Sequence, residues 1–378
     1  MTVLLVLCAL AYAGSGPIVV GGVLPLTGDA AAFGTSVWYG ASLAIEEHPR
    51  IGASPVLLRV HDDGSNASGV PPALEAALAE SPAALLGEVS SSRTMLLVGP
   101  AEAAEVPLVS PTATNPAVTQ GTRGVFRACF IDPVQGEAMA KFARRLGLRR
   151  VLPVEDVDTQ YTAGLVRAFR EAFVPLGGEL LPTATYHWGD VRFDEVLDQL
   201  QATNPDAVYV PGYYTEVALL MRAARERGYR GRFLGGDGWD SDHLIEVAGT
   251  AARGALFTNH FLADDPHPRS RRFTQTFAAH FGRPADALAA LGYDAMGMLL
   301  AAADALPAAT QADLASDAAP AAQVSARREL REALARTQDY PGATGPITMG
   351  SDGNPRKTVV IVTPTQAGGR YRGVVAAP

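Results

Sequence analysis

Residues 17–47 read PIVVGGVLPLTGDAAAFGTSVWYGASLAIEE. Its first ten residues are apolar and rich in β-branched side chains, with no polar alternation. That is the pattern of a strand buried on both faces. The last fifteen, FGTSVWYGASLAIEE (33–47), carry apolar residues at helical spacing. A strand, a short Gly-containing loop and a helix are the first half of a βαβ unit, and they point to a parallel sheet.

The alternation continues outward. PVLLRV (55–60) reads as a strand, PPALEAALAE (71–80) as a helix and AALLGEV (83–89) as a strand. MLLVGPAEAAE (95–105) reads as a helix broken near Pro100, and VPLVS (106–110) and VFRACF (125–130) as strands. A second series follows: helix 134–146, strand 149–154, helix 162–174, strand 179–186, helix 192–202, strand 206–210, helix 215–227 and strand 232–235. Two such runs predict an α/β fold of two Rossmann-like lobes with parallel central sheets. Residues 268–306 and 326–337 are mainly helical, and TVVIV (358–362) is a late strand. Between them, 301–326 is half alanine with Pro307 and Pro320, which reads as helix ends around a surface insertion.

A chain of 378 residues is long enough for two domains with separate cores. A formal charge of −8 without any long Lys/Arg run argues against nucleic acid or an anionic membrane as partner. MTVLLVLCALAYAGSG (1–16) reads as an export leader, with Ala11-Tyr12-Ala13 as a small-x-small site, although a basic start is missing. Cys8 offers a lipoprotein alternative, but Leu7 before it is bulkier than such processing prefers. Without the leader only Cys129 remains, read as a structural thiol in an apolar stretch.

In open parallel sheets, ligands bind beyond the carboxyl ends of the strands. The residues that follow the first-series strands there are Thr27, Gly28 and Phe33; Ser90, Ser91 and Ser92; and Thr112, Thr114 and Asn115. In the second series they are Tyr161, Tyr213, Tyr214 and Asp237. One lobe offers hydroxyls and helix-start amides, which suit a carboxylate. The other offers aromatics and one acid, which suits an ammonium group. Any single hydroxyl there is more often a cap or turn former, and Asp237 in GGDGWDSD is open to the same reading. Asp62 and Asp63 read as turn and cap residues. NHFLADDPHP (259–268), with His260, Asp264, Asp265 and His267, lacks a recognised metal-ligand spacing. No G-x-S-x-G, G-x-x-x-x-G-K-[ST], H-E-x-x-H or C-x-x-C occurs, so no catalytic residue, cofactor or metal is assigned.

With these stretches in order, the chain resembles the branched-chain amino-acid (leucine/isoleucine/valine-type) binding proteins of ABC importers, a type I periplasmic binding protein family. The resemblance rests on GVLPLTGDAAAFG, GASLAIEE, GEVSSSRT, PLVSPTATNPAVTQ, DTQYTAGL, PDAVYVPGYYTEVALLMRAARERG and FLGGDGWDS. It implies that Ser91 and Thr114 bind a ligand carboxylate and that Thr112 lends backbone groups. It implies further that Tyr161 and Tyr213 line the cleft, that Asp237 binds the ammonium and that Phe33 covers the side-chain pocket. Two departures stand out. Enteric members carry a disulfide at positions matching Ser65 and Ser90, and their ammonium acid is Glu where this chain has the shorter Asp237.

The expectation is a monomeric, non-enzymatic, extracytoplasmic binding protein, periplasmic or lipid-anchored. It would close on an aliphatic amino acid and deliver it to a permease. The first lobe would take 17–131 and 257–345, and the second 132–256 and 346–378, with a hinge of three segments near 131, 256 and 347. A sensor ectodomain of the same fold, a repressor-type regulator and an unrecognised hydrolase are the alternatives. The regulator would need a helix-turn-helix ahead of the first lobe.

Overall fold

The computed structural model of the chain describes residues 16–364 and 372–376, the last five by their backbone alone. The expected leader, apart from Gly16, lies outside the described residues. The first lobe begins with β1 (Ile18–Leu24), buried at every position. It continues through α1 (Ala31–Glu47), β2 (Arg50–Ile51), β3 (Ser54–Asp62), α2 (Val70–Ala79) and β4 (Ala84–Gly87). Then come α3 (Ser91–Ala103), β5 (Leu108–Ser110) and β6 (Val125–Arg127). These strands form one sheet in the order β2-β3-β1-β4-β5-β6, parallel except for β2. β1 is apolar throughout because it is central in the sheet, with helices covering both faces.

The second lobe runs through α4 (Asp132–Arg145), β7 (Arg150–Asp156), α5 (Gln160–Phe173), β8 (Glu179–Leu180), β9 (Ala184–Tyr186) and α6 (Asp194–Thr203). It continues with β10 (Ala207–Tyr209), α7 (Tyr214–Glu226), β11 (Arg232–Gly235), α8 (Asp242–Ala248) and β12 (Leu256–Asn259). The chain then returns to the first lobe as α9 (Pro268–Phe281), α10 (Ala287–Asp304), α11 (Ala308–Asp313) and α12 (Pro320–Ala335). A small antiparallel sheet follows, of β13 (Tyr340–Gly342), β14 (Gly345–Met349) and β15 (Pro355–Arg356). Finally β16 (Val359–Thr363) and β17 (Arg372–Ala376) join the second sheet, whose order is β17-β16-β12-β11-β10-β7-β8. The strand expected over 179–186 is two short ones, both paired with β7. Pro182 lies in the break, where it has no amide to give to a ladder.

Two crossings between the lobes differ from the expected places. β12 pairs with β11 and β16 as far as Asn259, so the second crossing starts at His260 rather than near 256. The third lies near Lys357 rather than 347, because 340–356 packs on the first lobe. Ala343 N there donates to Asp294 Oδ1 of α10, and Arg127 N donates to Gly353 O. Strand pattern alone does not say which sheet a strand joins.

The alanine-rich 301–326 segment is also no surface insertion. Leu306, Leu314 and Ala326 are buried in the first-lobe core, and Ser316 N donates to Pro17 O. Alanine serves there as a small packing residue. α10 is apolar and long enough to cross a membrane, yet it is buried on nearly every side as an interior helix. It approaches α1 closely: a Cβ on Gly40 would stand 1.9 Å from Ala289 O, and one on Gly292 2.3 Å from Val37 O.

Candidate functional site

The N-terminus of α3 and the N-terminus of α10 come from the first lobe, and the ends of β10 and β11 face them from the second. The lobes are shut. Tyr214 OH donates across the cleft to Asp29 O (2.7 Å), and Ala287 N at the start of α10 donates to Asp240 Oδ2 (2.7 Å). Gln160 bridges twice, its N–H to Ser92 Oγ (3.1 Å) and its carbonyl to Asn115 Nδ2 (2.8 Å). An apolar cluster runs without a break from Leu24, Phe33 and Val89 to Tyr214, Trp239 and Leu288.

Between the lobes lies a small, nearly filled pocket. All seven residues singled out from the sequence line it: Phe33, Ser91, Thr112, Thr114, Tyr161, Tyr213 and Asp237. Each is set by local structure. Ser90 caps α3 by accepting Arg93 N, and the amides at the very start of the helix have no intrahelical partner. Ser91 Oγ accepts from Asn115 N (3.2 Å), so its own proton can be donated. Thr112 Oγ1 is spent on Val89 O (2.7 Å), which fixes the backbone beside it. Thr114 Oγ1 is buried without a partner of ordinary hydrogen-bond geometry, although its hydroxyl opposes the burial that raises the neighbouring Asp132 to about 7.

The opposite wall is aromatic and acidic. Tyr161 and Tyr213 stack with ring centroids 5.1 Å apart, and Phe33 meets Tyr213 at 6.1 Å. Asp237 takes hydrogen bonds on Oδ1 from Tyr161 OH (2.8 Å) and Gln135 Nε2 (3.0 Å). Oδ2 faces His260 Nε2 at 3.0 Å. Tyr161 OH also accepts from Gly238 N (2.9 Å), which pins the turn after β11. Burial holds the Tyr161 phenol protonated well above its ordinary range and holds His260 below its own.

Other strand-end residues do structural work. Thr27 is tied to Asp62, Gly28 sits at φ 80° against Gly64 O, and Ser92 and Asn115 hold the lobes together. Asp62 accepts four hydrogen bonds from Leu26, Thr27 and Gly64, as a turn residue does. Asp63 does not behave as a cap alone: it is buried with Glu88 and Arg93 behind α3. Burial raises Glu88 to about 7. At the positions of the enteric disulfide, Ser90 is the helix cap, and Ser65 O instead accepts Arg93 Nη1 (3.1 Å). Cys129 is buried, its thiol pushed up to about 12 by burial.

The sequence reading missed Asn259 and His260 in the pocket wall, the apolar wall of Ala287, Leu288 and Leu291 on α10, and Gln135, which stands behind the wall on Asp237. Gln135 and α10 follow no strand end, so the rule that found the other residues could not reach them. His260 could have been found by it, since it directly follows β12.

A family model described as periplasmic binding protein matches residues 17–370. A Leu/Ile/Val-binding protein of Rhizobium johnstonii is 28% identical over 342 residues, 89% of this chain and 88% of that one. A leucine binding protein of Thermotoga maritima superposes with a TM-score of 0.87 at 36% identity, covering 96% of this chain and 99% of that one. A branched-chain amino acid transporter substrate binding protein of Streptococcus pneumoniae, in complex with isoleucine, superposes with a TM-score of 0.84 at 26% identity, covering 96% and 100%.

Proposed function

The chain belongs to the periplasmic binding protein family, and we propose that it captures an aliphatic α-amino acid in the closed cleft outside the cytoplasm and delivers it to the permease of an ABC importer. The observation that carries this reading is the polarity of the pocket. Neutral donors and a helix start stand at one end, and the Asp237 carboxylate stands at the other. A ligand carboxylate would take the Ser91 hydroxyl, the α3 amides and Thr114, with Thr112 offering its backbone. These need no counter-charge, because the helix start is itself partly positive. The ammonium would take Asp237 beside Tyr161. The side chain would lie against Phe33, Tyr213, Leu288 and Leu291, which offer it no charge. The relatives' names and the bound isoleucine support the aliphatic class.

Binding, lobe closure and release to a membrane partner then form the working cycle, and closure removes water from both charged ends. No step of it is catalytic. A thermal-shift screen over the common amino acids tests the reading, because ligand at 100 times its Kd adds about 2.7 kcal/mol of stability. Leucine-like L-amino acids are expected to raise the melting temperature, while their amides and N-acetyl forms leave it unmoved. Tight binding of a sugar, or of an aliphatic or aromatic acid lacking the amine, would overturn it.

A further inference from the structure

Among the described residues, every partner that grips the Asp237 carboxylate is a neutral donor: an amide of Gln135, a phenol of Tyr161 and an imidazole of His260. His260 has its side chain almost wholly buried, stacked on Phe130 with ring centroids 3.5 Å apart. Its Nδ1 is buried and makes no hydrogen bond, whereas Nε2 faces a carboxylate, so the ring proton sits on Nε2. Burial, the largest influence on this ring, keeps it neutral against the opposing pull of Asp237. The acid is thus oriented from three sides without its charge being cancelled.

A carboxylate offers about four acceptor positions. Tyr161 and Gln135 both occupy Oδ1, and His260 occupies one position on Oδ2. The remaining position is on Oδ2, the oxygen that His260 alone holds among the described residues. We propose that His260 is a positioning residue: it presents Asp237 Oδ2 to the ligand as an unneutralised anion and so sets the preference for an ammonium over an uncharged head group. This rests on the amino-acid reading of the cleft. It also explains how an aspartate reaches a ligand amine from β11, since its short side chain is braced by a residue of the second crossing.

The test is calorimetric titration of leucine and of its 2-hydroxy analogue, 2-hydroxy-4-methylpentanoate, with Asp237→Asn as reference. His260→Phe keeps a ring on Phe130 and removes the donor; His260→Met removes both, and whichever of the two melts cooperatively serves. The donor-less variant should lose leucine affinity about 10- to 100-fold, the worth of a hydrogen bond to a charged group. Affinity for the hydroxy acid should change less than about threefold, so selectivity collapses toward that of Asp237→Asn. His260→Gln, which returns a neutral N–H near the place of Nε2, should bind leucine within about threefold of the unsubstituted protein. A folded donor-less variant that binds leucine normally, or loses both ligands equally, overturns the proposal, as does failure of Gln to rescue. If the unsubstituted protein binds no amino acid, the reading of the cleft itself falls, and that result precedes any variant.

Discussion

Ser91 and Asp237 stand at opposite ends of the pocket and should fail in different ways. On the proposed binding mode, Ser91→Ala removes one donor from the ligand carboxylate and is expected to weaken amino-acid binding by about 1–3 kcal/mol, read by calorimetry. Melting of the ligand-free protein should barely change, because only the Asn115 N contact is lost. On the same binding mode, Asp237→Asn removes the charge opposite the ligand ammonium at a largely buried position. The expected loss is about 2–5 kcal/mol, as when one side of a buried pair is truncated. Ligand-free stability should stay within a few degrees of melting temperature. An unfolded Asp237→Asn that keeps normal residual affinity would make the residue a turn former, which its position at the start of the turn after β11 permits. The places of these two residues were legible because strand ends can be counted, and the resemblance supplied their expected roles. Gln135 was not, because it lies within a helix and a neutral brace has no signature apart from what it touches; His260 follows a strand end, but its role as a brace shows only in its contact with Asp237.

The pocket's shape depends on how α1 meets α10. Phe33 rides on α1, and Leu288 and Leu291 ride on α10. Gly40 and Gly292 let the backbones touch, since a Cβ at either would fall inside van der Waals contact with a facing carbonyl. Gly292→Ala is expected to cost about 1–3 kcal/mol of stability, the usual price of overpacking. It should also weaken ligand binding, because the apolar wall must shift with the helix. Denaturant unfolding measures the first effect and calorimetry the second. A stable variant with unchanged affinity would show that the two helices yield without moving the pocket. The apolar runs of both helices were plain in the sequence. Their contact, across some 250 residues of chain, was not.

At the scale of the whole molecule, the lobes are held shut by a handful of bonds. Tyr214→Phe deletes the bond to Asp29 O and should lower affinity by about 0.5–1.5 kcal/mol through the closed state alone, since Tyr214 is not among the pocket residues. Small-angle scattering at saturating ligand should still report closure. Proton balance gives a second test. Burial raises Glu88 and Asp132 to about 7 and Asp156 to about 6, all above the unfolded carboxyl range. Between about pH 4 and 7 the folded chain therefore holds protons that the unfolded chain has released, so stability falls as pH rises across that window. Below it the sign reverses, because Asp206, held down by the amides of Arg150 and Arg149, must be protonated. Ligand-free protein should melt higher near pH 5 than near 7.5, and Asp132→Asn should remove about 1–3 kcal/mol of that difference.

The sequence by itself determined the two α/β lobes, most of the strand and helix order, and a set of strand-end residues from which the family resemblance singled out seven. Local periodicity and turn chemistry are written in neighbouring residues, and the parallel-sheet rule turns them into positions. Tertiary structure decided the rest. It assigned 257–259 and 345–356 to their sheets, buried the alanine-rich segment, and set α10 against α1. It also placed His260 and Gln135 on Asp237. Each of these is a meeting of distant segments, fixed by which surfaces exclude water together, and no local pattern records such a meeting.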